Sequence, residues 1–276
     1  MALKNLSNLS QRIIAAVIAV PAMMFCIWFS PLSLLFLLVL LSVLTQVEFY
    51  KLLKLDSHLP LTAWGTLCGL FLVIVTYLVE RDMVSFRNYY LIVPLLTTTF
   101  FIKLFKKLDD RPFANLGYTF LGIIYVAVPF ALIVELIIEE FTYKPELLTG
   151  LLVILWVNDS GAYFAGRALG KRKLFARVSP KKTWEGFIGG AIFSVLAALS
   201  MGYLFTDLAI MHWLVIAFII VVTGTLGDLV ESLFKRSISI KDSGSIIPGH
   251  GGFLDRFDGL LLSVPFIVTY FKLLAG

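Results

Sequence analysis

The sequence predicts an all-α integral membrane protein of about nine transmembrane helices, on three observations. Hydrophobic residues make up 59% of its 276 positions, mean hydropathy is +0.92, and charged residues supply only 15%. A soluble domain carries roughly 25% charge, and a soluble globule of this length cannot hide so much apolar side chain. A soluble enzyme, a disordered tail and a collagen-like repeat are thereby excluded.

A spanning helix needs about 20 mostly apolar residues. Nine stretches qualify, at roughly 13–30, 32–48, 61–79, 89–105, 116–138, 147–166, 186–205, 209–227 and 259–274. The first two are separated only by Ser30-Pro31, so the count is eight or nine. Basic residues decide orientation, because Lys and Arg accumulate on the cytoplasmic side. With nine spans and a cytoplasmic N-terminus, 19 of the 23 Lys and Arg face inward. Arg81, Arg87, Lys144 and Lys272 stay outside, beside the acidic Glu139, Glu140 and Glu146. This asymmetry favours nine spans, N-terminus in and C-terminus out. The first span follows Lys4 and Arg12 without a convincing cleavage site and reads as an uncleaved helix.

Cys26 and Cys68 lie in apolar runs and suggest neither a disulfide framework nor a zinc site. His58, His212 and His250 are too scattered for a histidine metal centre. No internal repeat points to a transporter. Two connections are long and polar, 167–185 and 228–258, and both fall on the cytoplasmic side. Residues 1–146, about five spans, therefore read as a scaffold. Residues 147–276, about four spans with these two loops, read as the catalytic region.

Three blocks carry the chemistry. Asn158-Asp159-Ser160-Gly161 sits inside an apolar span, where a carboxylate is costly and usually faces a cavity or a partner. The plainer alternative is a buried Asp159 paired with Arg167 or a lysine. The second block, Ser179-Pro180-Lys181-Lys182-Thr183-Trp184-Glu185-Gly186, closes a connection with seven cations and one anion. Such a loop can simply fix topology or touch anionic lipid. Cations and hydroxyls placed at a helix start also suit a polyphosphate.

The third block runs from Gly227 to Asp258. If 228–236 continues the eighth helix, Asp228, Glu231, Ser232 and Lys235 share one stripe. Asp255 and Asp258 are three apart at the start of the last helix. Two carboxylate pairs could converge on a hard cation such as Mg²⁺, and glycines flanking His250 would let backbone approach a ligand closely. Internal pairing of the loop's four cations and five anions is the alternative. A basic loop beside an acidic one divides labour as phosphoryl or nucleotidyl transfer requires. No Walker loop or Gly-x-Gly-x-x-Gly is present. The residues themselves lead to a metal-dependent membrane enzyme acting on phosphates.

The stretch from Ser232 through Lys235-Arg236, Lys241-Asp242-Ser243-Gly244 and Pro248-Gly249-His250-Gly251-Gly252-Phe253-Leu254-Asp255-Arg256-Phe257-Asp258 resembles the signature of phosphatidate cytidylyltransferases. The blocks at 158–163 and 179–186 are similar to that family's other motifs. One departure is Gly259, where the family pattern has Ser. The resemblance implies transfer of CMP from CTP to phosphatidic acid, with pyrophosphate released. It also implies Mg²⁺ with a K⁺ beside it and a homodimer with a polar cavity open to the cytoplasm and the lipid, and a chain this compact points to a bacterial inner membrane. No nucleic acid partner is implied. Carried over, Asp228 and Asp255 are metal ligands, joined by Asp159 and Glu231. Lys235, Arg256 and Asp258 take catalytic roles. Ser179, Lys181, Lys182, Thr183 and Asn158 bind substrate, as do Ser232, Arg236, Lys241, His250, Gly251 and Gly252.

Two other classes compete. A CDP-alcohol phosphatidyltransferase needs an Asp-x-x-x-Asp pair that does not follow Asp159, and the Asp255/Asp258 spacing differs from it. A transporter or channel would spread charge over several midplane helices rather than gather it at one face.

Overall fold

The structure, a computed structural model, describes residues 8–107, 109–139, 142–240 and 252–274. Among the described residues it is helical apart from connecting turns and two short antiparallel strand pairs. Among the described residues, one compact unit comprises those up to Tyr143 together with 252–256. The other comprises 144–240 with 257–274.

The first unit opens with α1 (Asn8–Phe29) and α2 (Pro31–Leu55). The break between them is chemical. Ser30 is extended at φ −168° and caps α2 reciprocally with Ser33, while Pro31 occupies the first helical position. Ser33 Oγ also donates to the Cys26 carbonyl at 2.7 Å, so the end of α1 and the start of α2 share one hydroxyl. Next come α3 (Thr62–Glu80) and a 3₁₀ turn at Phe86–Leu91 leading into α4 (Ile92–Leu104). Then α5 (Pro112–Gly122) passes through a π turn (Ile123–Ala127) into α6 (Val128–Ile137). Pro129 explains the turn. It has no N–H, and its ring would collide with the carbonyl four residues back, so the ladder widens just before it. β1 (Ile138–Glu139) pairs antiparallel with β2 (Thr142–Tyr143).

Phe49, Tyr50, Leu53, Val73, Phe130, Ile133 and Ile137 are buried where α2, α3 and α6 pack. Hydrogen bonds from two polar side chains of α2 cross this core. Gln46 Nε2 donates to Tyr50 Oη (3.2 Å) and to the Gly65 carbonyl (3.0 Å), and Tyr50 donates to the Thr119 carbonyl (2.7 Å). The first bond lies within α2, and the other two join it to α3 and α5. The connection after α2 is pinned likewise. Asn115 accepts the Leu59 N–H at 2.9 Å, Thr119 accepts the Leu61 N–H at 2.9 Å, and Lys103 donates to the Leu59 carbonyl at 2.8 Å.

The second unit contains α7 (Pro145–Leu169), β3 (Lys173–Phe175), β4 (Ser179–Thr183) and α8 (Trp184–Leu204). It continues with α9 (Ile210–Ile219), a π turn (Ile220–Gly224), α10 (Thr225–Ser237) and α11 (Leu254–Leu274). α7 and α8 form its closest helix pair. Gly186 and Gly190 on α8 face Ala162 and Asn158 on α7, and a Cβ at Gly190 would stand 2.8 Å from Asn158 Oδ1. Small residues four apart let two helix backbones approach in a membrane, where no hydrophobic force separates helix from lipid.

Seven helical stretches among the described residues are long and apolar enough to cross a membrane: Pro31–Leu55, Thr62–Glu80, Pro112–Ile137, Pro145–Leu169, Trp184–Leu204, Ile210–Ser237 and Leu254–Leu274. The expected spans at 13–30 and 89–105 fall on helices whose apolar length is shorter, Ile14–Phe29 and Ile92–Leu104. Exposed Phe25, Phe36, Phe100, Phe164, Phe218 and Phe266 lie on these helices, as a lipid-facing surface requires. The chain is a multi-pass membrane protein. The polar connections are shorter than the sequence suggested. α10 runs ten residues past the expected end at 227, and α11 begins at Leu254 rather than 259. Helical hydrogen bonding extends through polar sequence once a buried stripe holds it. The connection at 167–185 is not open loop either, since β3 and β4 pair with Lys173 opposite Thr183.

Lys103 and Asp109 form an ion pair whose side chains are 1% and 2% exposed. Asn115 Nδ2 (2.6 Å) and the Arg111 N–H (3.1 Å) also bond Asp109. Burial works to raise the Asp109 carboxyl, but the Lys103 ammonium, the Asn115 amide and the Arg111 N–H outweigh it and hold it below the usual carboxylate range. Asp109→Asn is expected to cost about 3–5 kcal/mol, because it strands a buried lysine. A folded-state value below the unfolded one stabilises fully above about pH 4 and is lost as pH falls through it. Thermal midpoints of wild type and variant in detergent should therefore differ widely at neutral pH and converge in acid.

Candidate functional site

A cavity of about 360 Å³ opens in the second unit between α7, α8, the β3–β4 hairpin and α10. Its lining includes Asn158, Asp159, Lys181, Lys182, Thr183 and Asp228. Six of the residues singled out in the sequence, separated by up to 70 positions, thus surround one space.

Each is positioned by local chemistry. Thr183 ends β4 in an extended conformation and caps α8, its Oγ1 accepting the Gly186 N–H at 3.2 Å. Glu185, in the first turn of α8, accepts the Lys171 N–H (3.0 Å) and the Arg172 N–H (3.1 Å), which ties the hairpin to the helix start. Lys181 and Lys182 are held just before that helix start, Lys181 exposed and Lys182 half-buried. Pro180 is tolerated because the hairpin has only two strands, so each is an edge. On α7, Asn158 is buried. Its Oδ1 accepts from Ser194 Oγ at 3.2 Å, and its Nδ2 reaches Asp159 Oδ1 at 3.5 Å. Asp159 is exposed rather than buried, so the alternative of a sequestered carboxylate does not describe it.

Among the described residues, an ion pair joins the basic block to the start of the acidic one. Lys182 Nζ forms an ion pair with Asp228 Oδ2 and donates to the Thr225 carbonyl at 3.4 Å. The side chains remain 27% and 34% exposed. A pair so open to solvent contributes about 0–1 kcal/mol at most, so its effect is placement more than stability.

α10 forms the stripe read from its spacing. Glu231 is 3% exposed at its side chain and pairs with Lys235 at 2.7 Å, four residues on. This is one of the internal pairs that the plainer alternative for the 228–258 connection anticipates. Ser232 is half-buried on the same helix, and exposed Arg236 donates to the Ile240 carbonyl at 3.2 Å. Asp258, on α11, accepts the Gly259 N–H at 2.8 Å and lies beside Asp228 and Glu231. That approach needs Gly227, since a Cβ there would come within 2.7 Å of the Asp258 carbonyl oxygen and 3.0 Å of Gly259 Cα. Gly259, the departure from the family pattern, itself lies close to Asp228: a Cβ on it would stand 3.6 Å from Asp228 Oδ1.

Other expected site residues lie elsewhere. Ser179 pairs with Phe175 in the hairpin and does not line the cavity. Gly252, Asp255 and exposed Arg256 belong to the first unit, where the Gly252 N–H reaches Asp255 Oδ2 at 3.4 Å. Lys241, His250 and Gly251 fall outside the described residues. Tyr163, Arg167, Phe187 and Thr225 line the cavity without having been singled out as site residues. Tyr163 and Arg167 are four apart on α7 and joined at 3.2 Å, and helical spacing from Asp159 would have found both.

The cavity combines cations and a hydroxyl of the kind that suit a polyanion with carboxylates of the kind that suit an oxygen-ligated cation. Among the described residues no three carboxylate, imidazole or thiol side chains are grouped so as to hold a metal by themselves. Asp228 and Asp258 stand together, however, and Mg²⁺ characteristically takes one or two carboxylates and completes its shell with water and substrate phosphates. The donor set therefore fits that ion.

The fold is that of a multi-pass membrane protein with a polar cavity, and comparison with known proteins supplies its class, a nucleotidyltransferase. The cytidylyltransferase family profile matches residues 10–274, and the chain belongs to that family. It is 36% identical over 273 residues to the phosphatidate cytidylyltransferase of Bacillus subtilis (strain 168), covering 96% of this chain and 98% of the relative. It is 33% identical over 287 residues to that of Haemophilus influenzae, covering 95% and 98%. The Staphylococcus saprophyticus protein of the same name is 36% identical over 228 residues, 81% of this chain and 85% of the relative.

Gly227→Ala should destabilise by about 1–3 kcal/mol, as overpacking between two backbones does. Gly117→Ala on α5, where a Cβ would meet nothing within 4 Å, is the control. It is expected to be neutral or stabilising by about 0.5–1 kcal/mol. Paired thermal melts in one detergent check both.

Proposed function

We propose that this protein is a phosphatidate cytidylyltransferase, transferring CMP from CTP to phosphatidic acid to give CDP-diacylglycerol and pyrophosphate. The observation that carries the reading is the single cavity in which Asn158 and Asp159 of the first motif meet Lys181, Lys182 and Thr183 of the second and Asp228 of α10. Names of relatives matched over nearly the whole chain support the same substrates.

Lys181, Lys182 and Thr183 hold the triphosphate of CTP, with the ammonium groups neutralising its charge and the hydroxyl orienting it. Asn158 adds a polar contact, Asp159 lies at the same end of α7, and Ser179, expected from the resemblance, supports the hairpin that carries Lys181 and Lys182. Ser232, Arg236, Lys241, His250, Gly251 and Gly252 complete the substrate contacts that the family resemblance implies. A phosphatidate oxygen attacks the α-phosphorus of CTP, and the bond from that phosphorus to the β-phosphate oxygen breaks. Lys235 and Arg256 offset the charge that develops, and Asp258 helps order the surrounding carboxylates. No general base is required, since a phosphomonoester is largely dianionic above its second pKa near 6.

Asp228 and Asp255 are the proposed Mg²⁺ ligands, with Asp258 beside Asp228, and Asp159 and Glu231, as supporting carboxylates. When bound, Mg²⁺ supplies charge neutralisation at the phosphate oxygens. K⁺ and a homodimer rest on the resemblance alone. The topology that best accounts for the Lys and Arg distribution has nine spans, N-terminus cytoplasmic and C-terminus outside. Residues 1–146 then scaffold, and residues 147–276 carry the chemistry at the cytoplasmic face of a bacterial inner membrane.

The test is incubation of detergent-purified protein with labelled CTP, phosphatidic acid and Mg²⁺. Labelled CDP-diacylglycerol is expected, lost with EDTA and in Asp255→Asn. Asp228→Asn should lower kcat/KM by roughly 100-fold, about 2.7 kcal/mol of transition-state stabilisation. Absence of product from folded wild-type protein would overturn the reading.

A further inference from the structure

The first unit holds a charged group that hydropathy alone does not explain. Glu48 lies in α2, inside a membrane-crossing helix, and is 2% exposed. A carboxylate at such a position is expensive unless it is fully engaged. Its Oε2 accepts the Phe253 N–H at 2.9 Å and its Oε1 accepts the Leu254 N–H at 3.2 Å. These are amides at the very start of α11, which have no acceptor within their own helix.

We infer that Glu48 is a positioning residue for Asp255 and Arg256, clamping the start of α11 so that both are presented in one fixed orientation. Three features carry this. First, both carboxylate oxygens are used, each on a different amide. The start of α11 is thus fixed in rotation as well as in place, and bonds to a carboxylate are the stronger kind. Secondly, the clamp is rigid. Its neighbours Gln46, Phe49 and Tyr50 are fully or almost fully buried, and Gln46 and Tyr50 are held by the hydrogen bonds that join α2 to α3 and α5. Thirdly, the clamp adjoins the functional motif. Leu254 is 0% exposed and immediately precedes Asp255, which bonds back to the Gly252 N–H at 3.4 Å. Carboxylates thus take three successive amides, and the positive end of the helix favours them. A helix serving only as scaffold could cap this terminus with a neutral Ser or Asn at no ionic cost.

The consequence for activity rests on the proposed role of Asp255 as a metal ligand. A residue that orients a ligand shows in metal affinity, where loss of such a partner typically costs 10–100-fold. Glu48→Gln and Glu48→Asp are compared with wild type in detergent. The half-saturating Mg²⁺ concentration is measured at saturating CTP and phosphatidic acid. Thermal midpoint and hydrogen exchange of a peptide covering 252–258 are recorded in parallel. E48Q is expected to need about tenfold more Mg²⁺ and to exchange the 253 and 254 amides faster, with E48D between it and wild type. A purely structural residue would lower the melting midpoint and the folded amount but leave the Mg²⁺ requirement of the folded fraction unchanged, and that result overturns the inference. If E48Q does not fold, E48D decides by the same Mg²⁺ reading. If wild type itself forms no product, the proposed activity falls. Exchange at 253 and 254 then decides the clamp alone, faster in the variants if it exists and unchanged if it does not.

Discussion

The close approach of α7 and α8 is the constraint on which the second unit depends. Two helices in lipid gain little from burying apolar side chains against each other, because the lipid is equally apolar. Backbone proximity has to come from small side chains, and here Gly186 and Gly190 supply it against Ala162 and Asn158. Wider separation would take Asn158 out of reach of Ser194, and Asp159 away from the hairpin that carries Lys181 and Lys182. The cavity is therefore a product of what the helix faces lack.

Charge is organised around that contact in two ways. In the first unit, Lys103 and Asp109 are dry, paired and supported by amides, and they hold a connection in place. In the second, Lys182 and Asp228 remain partly open to solvent, and each lines the cavity. A partly hydrated pair exchanges partners at little cost, as the proposed binding of a polyphosphate and a cation requires. The π turn before α10 belongs to the same pattern. Thr223 bonds both the Ile219 carbonyl (2.7 Å) and Ser263 (2.8 Å) there, so the irregular turn is satisfied at the point where α10 begins its polar course.

Much of this was legible in the residues. Period and hydropathy located the helices, since burial in lipid demands long apolar runs whose backbone bonds close internally. The stripe of Asp228, Glu231 and Lys235 followed from helical spacing and is present on α10, with Glu231 and Lys235 paired. Less legible were the ends. α10 and α11 extend into sequence whose polarity reads as loop, and the basic connection folds as a hairpin. Polarity marks contact with water or a ligand, and it does not mark the end of hydrogen-bonded structure.

The sequence by itself determined that the chain lives in a membrane, roughly where its helices lie, to which family it belongs and which side chains are candidates for phosphate chemistry. Those properties depend on residue type and local spacing alone. Only the tertiary structure decided that Asn158, Lys182 and Asp228 share one cavity, that Gly227 lets α10 meet Asp258, and that Glu48 serves the start of α11. These depend on distances between residues tens to hundreds of positions apart, set by which helix faces are small enough to touch and which buried amides still need an acceptor.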